Sequence, residues 1–196
     1  DHGGAQARLM TEHISTMIAS AVAEHLTTTL APQFEDLELG GLAVKVGRLQ
    51  ADPERPGTNL MVHIGKPRDD KWTDMPVGSR YIRSMGGMMA YDNGEEFAVA
   101  EVGGGRTWLR RFTVEGSVFF TRTKEDRSLA AERANIIRGL VEDALTPHIM
   151  MGVEDSFGER AHRLILGQST AEERGGPTAH IWDFWVYFSV ETIRPH

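Results

Sequence analysis

The chain has 196 residues, 40% hydrophobic and 25% charged, with 21 basic and 28 acidic side chains giving a net charge of −7. That length and composition fit one compact domain with a sizeable core, and no segment approaches the roughly 20 apolar residues that span a bilayer, so no membrane partner is expected. The acidic balance disfavours tight nucleic-acid binding, which needs Lys and Arg to replace condensed counterions, but is compatible with a surface past which DNA slides without sticking. The absence of cysteine removes disulfides, thiolate nucleophiles and sulfur-ligated zinc together, as in a reducing cytoplasm. The N-terminal Asp1-His-Gly-Gly has neither the basic region nor the apolar stretch of a signal peptide, so no leader is expected.

In chain order, Ala5 to Leu30 carries the longest helical signal: Met10, Ile14, Met17, Ile18, Ala21, Val22 and Leu26 form one apolar stripe, which Pro32 closes. Leu42 to Leu49 alternates as a strand does. Asp52-Pro-Glu-Arg-Pro-Gly57 reads as a turn, and Leu60, Val62 and Ile64 alternate again, so 42–65 reads as a hairpin with a longer loop. From Lys66 to Arg106 no period is sustained, apart from a short strand Phe97 to Val102 that ends in three glycines. A stretch of this kind inside a compact domain is a functional excursion, here expected as an arm or long hairpin inserted in the single domain 1–196.

Arg111 to Arg122 places Phe112, Val114, Val118 and Phe120 on one face and Arg111, Thr113, Glu115 and Ser117 on the other, the pattern of a half-buried strand. The polar turn Thr123 to Ser128 can cap a helix in which Leu129, Arg133, Ile137, Leu140, Val141 and Ala144 recur at helical spacing. After a polar loop at Gly167 to Thr178, the strand Ile181 to Thr192 stacks Trp182, Phe184, Val186, Phe188 and Val190 on one side. The fold class is therefore α+β: a mainly antiparallel sheet from 42–49, 60–65, 109–121 and 181–192, with helices 5–30 and 129–145 on one face.

The candidate chemical motifs mostly dissolve. Gly103-Gly-Gly-Arg-Thr107 lacks the spacing of a phosphate loop and runs into a strand, so a hairpin turn is the better reading. Glu12-His13 and Glu24-His25 lie about 120° apart around a helix and cannot converge on one metal. His148, Glu154, Asp155 and His162 are the other ligand-type cluster, with uninformative spacing. No serine sits in a nucleophile elbow. Neither catalysis nor a metal or other cofactor is expected.

The order of elements resembles the tail terminator proteins of long-tailed bacteriophages. The similar parts are Ala5 to Ile64 and Trp108 to Thr192, chiefly the strand Phe112 to Thr121, the helix start Asp126-Arg-Ser-Leu-Ala-Ala-Glu132, and the loop Gly167 to Thr178 followed by Ile181-Trp-Asp-Phe-Trp. What the resemblance implies is a virion protein, assembled in the host cytoplasm. Such a protein forms a hexameric ring with its own copies, caps the tail tube protein, meets a head-completion or connector protein, and lets DNA pass through its lumen. The contacts expected to mediate this are Trp72, Tyr81, Arg83, Met85, Met88, Met89 and Arg106 in the excursion, and Phe119, Trp185 and Tyr187 on the second sheet face. The alternatives are a head-completion or neck protein, a small-ligand or peptide-binding α+β module using Met85 to Met89, and a hydrolase with a metal at His148 and His162.

Overall fold

The structure, a computed structural model, describes residues 13–47, 57–65, 96–102, 105–121, 126–146, 152–175 and 179–195. The elements in chain order are α1 (Ile14–Asp36), β1 (Leu42–Val46), β2 (Gly57–Ile64), β3 (Glu96–Val102), β4 (Gly105–Thr121), α2 (Asp126–Ala144), β5 (Arg160–Gly175) and β6 (Ala179–Arg194). They build one six-stranded sheet in the order β1-β2-β4-β6-β5, with β3 also paired to β4. The long strand β4 is its spine: it runs antiparallel to β2, β3 and β6. Both helices pack on one face and on each other.

The alternation in the sequence explains which face they cover. Phe112, Val114 and Val118 of β4, Phe184, Val186, Phe188 and Val190 of β6, and Leu60 and Val62 of β2 all point into one core, where they meet Ile14, Ile18, Val22, Leu26, Leu30 and Phe34 of α1 and Ala134, Ile137 and Val141 of α2. The rings of Phe112 and Phe188 stack at 5.2 Å and 13° where β4 and β6 pair. The α+β class, the antiparallel character of most of the sheet and the single helical face are as the sequence predicts.

Four expectations are corrected. Strands β1 and β2 do not form a hairpin: Leu42 pairs Thr58 and Val46 pairs Val62, a parallel register. Alternation reports which face a side chain takes and is blind to strand direction, which the connection decides. Pro32 does not close α1, because it lies inside the helix, which continues to Asp36. The extra turn carries Phe34 into the core, 3% exposed, and that burial outweighs the hydrogen bond that proline removes.

On α2 the inward stripe is Ala130, Ala134, Ile137, Val141 and Ala144, while Leu129 and Arg133 are exposed. The true stripe is set by small residues that let the helix approach the sheet closely, and it is rotated by one position from the one that the larger residues suggest. Finally, 167–178 is not a loop up to Thr178: β5 runs to Gly175, paired along its length with β6. Its polar composition is that of an edge strand with much of one face in water, and at Gly167 a Cβ would lie 2.9 Å from the Tyr187 carbonyl oxygen, a close backbone approach that requires glycine. Gly103 and Gly104, expected as a hairpin turn, lie outside the described residues, and the strands on either side of them pair antiparallel, Val102 with Gly105.

Candidate assembly surfaces

Among the described residues, several of the ionisable side chains that chemistry could use are engaged in structure. The Nδ1 of His13 accepts the Ser15 backbone N–H at 3.2 Å and caps the start of α1. His25 Nε2 lies 2.9 Å from the Ala144 carbonyl oxygen. A carbonyl only accepts, so Nε2 carries the proton and ties α1 to the C-terminal end of α2. His63 and Glu115 pair across β2 and β4 at 2.9 Å on the sheet face away from the helices. Beside them Thr113 donates to the Gly65 carbonyl at 3.0 Å.

Of the ligand-type cluster, His148 lies outside the described residues, His162 is exposed on β5, and Glu154 pairs Arg160 at 2.9 Å. Asp155 accepts the backbone N–H groups of Phe157 and Glu159, each at 2.9 Å. Among the described residues no three His, Cys, Asp or Glu converge as metal ligands, and no helix is long and apolar enough to cross a membrane.

The expected contact residues divide into two sets. Trp72, Tyr81, Arg83, Met85, Met88 and Met89 lie outside the described residues, as does the side chain of Arg106, whose backbone pairs Arg194. Trp185, expected as an open aromatic, is 7% exposed, and Phe119 and Tyr187 are half-buried. Around Trp185 the same face buries Arg111, Thr113, Ser117 and Asp183. Alternation identified this second face correctly, but a two-faced strand pattern does not say that the polar face is open, and this one is largely closed within a single chain.

The edge strands β1 and β5 are poor templates for adding another strand. β1 is five residues long, and β5, though 16 residues long, shifts register twice, between Ala161 and Arg163 and between Leu166 and Ser169. Short edges, bulges and charges such as Arg163 and Glu172 are what native sheets use to avoid edge-to-edge association.

What stands out instead is the turn between α2 and β5, where the spacing of the sequence is uninformative. Glu159, 3% exposed, forms a bidentate pair with Arg110 of β4, with Arg110 Nε and Nη2 donating at 2.7 and 2.9 Å. The hydroxyl of Thr192 on β6 donates to the same carboxylate at 2.5 Å. Asp155 holds the turn's backbone as described above, and Ala161 N–H bonds the Val153 carbonyl at 2.9 Å. On this braced turn Phe157 is 57% exposed, with the Arg194 guanidinium 5.3 Å from its ring centroid. Three carboxylates, two arginines and one aromatic within 154–163 were the available signal, but only the fold brings Arg110 and Thr192 to them.

At the diagonally opposite corner, α1 ends in a Schellman motif. Leu39 N–H bonds Phe34 O at 2.9 Å and Glu38 N–H bonds Glu35 O at 3.2 Å, with Leu39 and Phe34 both buried. Leu37 projects from it, 52% exposed, among the exposed Glu35, Asp36 and Glu38.

No family model and no curated protein matches the chain. Among solved structures, 91% of this chain aligns with 97% of a chain in the virion of a native gene transfer agent (GTA) particle, at 15% identity and a TM-score of 0.45. A second solved chain aligns over 87% of this one and 94% of its own length, at 10% identity and a TM-score of 0.39. At these scores neither likeness assigns a function.

Proposed function

We propose that this chain is a virion structural protein of the head-to-tail junction, a ring-forming subunit that ends the tail tube and meets the head connector, and that it is not an enzyme. The observation that supports this best is how the molecule uses its reactive groups. His13, His25, His63, Asp155 and Glu159 are each committed to a cap, a helix tie, a cross-strand pair or a turn. Apolar anchors such as Phe157 and Leu37 are meanwhile left exposed on backbone held by hydrogen bonds. A rigid sheet with unspent apolar anchors suits a component that works by being contacted. The α+β architecture with both helices on one face is also the one that the sequence resemblance implies.

The test is functional capping. Tail tubes polymerised from the tube protein encoded with this chain are imaged with and without the full chain at equal subunit ratio. Tubes that stop at short lengths and carry a ring at one end are expected. Tubes of unchanged length with bare ends would overturn the reading.

A further inference from the structure

Deepening that assembly reading, on which this inference rests, we infer that copies of the chain dock head to tail. The Phe157 turn of one copy seats on the Leu37 corner of the next, with Arg194 facing Glu35, Asp36 and Glu38.

The two surfaces match in shape of chemistry. The first offers one exposed aromatic, 57% exposed, on a turn braced by a buried bidentate ion pair, so its position is set before any partner arrives. Arg194 lies over its ring as an exposed cation, while Arg160 pairs Glu154 and Arg163 pairs Glu191. The second offers one exposed aliphatic residue among three exposed carboxylates. An aromatic flanked by the Arg194 cation and a leucine with an anionic rim are complementary in both terms.

The acidic corner is also built against the chain's own stability. Glu38 sits at φ 52, the left-handed conformation for which the end of a helix ordinarily uses glycine. Glu35, Asp36 and Glu38 crowd the negative end of the α1 dipole, with no basic residue in its last turn. A cationic group from outside relieves the crowding of charge.

Geometry excludes the two corners from meeting within one copy. The turn is bound to Thr192, which pairs Trp108 of β4, whereas Gly41, closing the Leu37 corner, bonds Thr58, which pairs Val118. Trp108 to Val118 spans about 30 Å of extended strand, and the corners lie on opposite lateral sides of the sheet, toward β5 and β1 respectively. Two different patches at opposite corners make a heterologous interface, which closes into a ring when the rotation between copies allows it.

The experiment uses the full chain and two variants, each broken at one corner: Phe157→Ala with Arg194→Glu, and Leu37→Ser with Glu38→Lys. Circular dichroism melting verifies that each remains folded, and mass photometry reads the assembly. Wild type is expected to form closed oligomers, each variant alone to run as a monomer, and the two mixed to give dimers and nothing larger, because one intact corner of each kind remains. Glu38→Gly supplies a control that a purely structural role would not reproduce, with a melting temperature raised by about 1–4 °C together with weakened assembly. If wild type assembles and the corner variants assemble as well as it does, or if the mixture stays monomeric, the docking mode is wrong while the assembly reading stands. If wild type is monomeric at every concentration and on tail tubes, both fail.

Discussion

A Cβ added at Gly116, in the middle of β4, would lie 2.1 Å from Cζ of Phe184 on the paired strand. The glycine therefore exists to let that ring lie flat across the sheet, and strand propensity is sacrificed for packing. Gly116→Ala is expected to destabilise by at least about 1–3 kcal/mol through overpacking, although alanine is the better strand residue. Phe184→Ala, which removes a ring that is 1% exposed, is expected to destabilise by about 3–5 kcal/mol. Combined, Gly116→Ala and Phe184→Ala should cost clearly less than the two added together, since the clash disappears with the ring. Urea titrations of the three variants check this, and strict additivity would contradict the packing account.

The Arg110–Glu159 pair makes the complementary case for polar groups, its side chains being 5% and 4% exposed. Glu159→Gln leaves a buried guanidinium without its carboxylate and is expected to lose about 3–5 kcal/mol, whereas Arg110→Met with Glu159→Leu should fall near wild type. Equal losses for the single and double changes, read by thermal melting, would show that the pair has no such role.

At the scale of elements, legibility followed physical cause. The faces of β4 and β6 were readable because burial on the helix side imposes a period of two on Phe112, Val114 and Val118 and on Phe184, Val186 and Phe188. The start and end of α1 were not. Its N-cap is a histidine, and its C-terminal turn passes through Pro32 because Phe34 and Leu39 lock onto each other behind it. Pro32 is exposed, so Pro32→Ala restores a helix donor without disturbing the core. It should raise stability by about 1–3 kcal/mol, and a loss in chemical denaturation would show that the proline is needed for the approach of Phe34. The edge strand β5 was read as a loop because Gln168-Ser-Thr-Ala-Glu-Glu173 has the composition of one, and its pairing with β6 is a tertiary fact. The parallel register of β1 and β2 escaped for the same reason, since direction belongs to the connection.

For the whole molecule, the class and the single helical face were legible, while the surfaces proposed to carry function were legible only in part. The aromatic second face promised an interface at Trp185, yet that ring is buried in one copy. The turn bearing Phe157 was passed over because its bracing partners Arg110 and Thr192 are distant in sequence. Both exposed corners support the central proposal, that this chain works as a repeating subunit. The most direct test is the mass of the full-length chain in solution across a wide concentration range, with imaging of the particles formed. The account predicts closed rings of a single size, six copies being the number that the sequence resemblance implies, and a strictly monomeric chain at every concentration would contradict it.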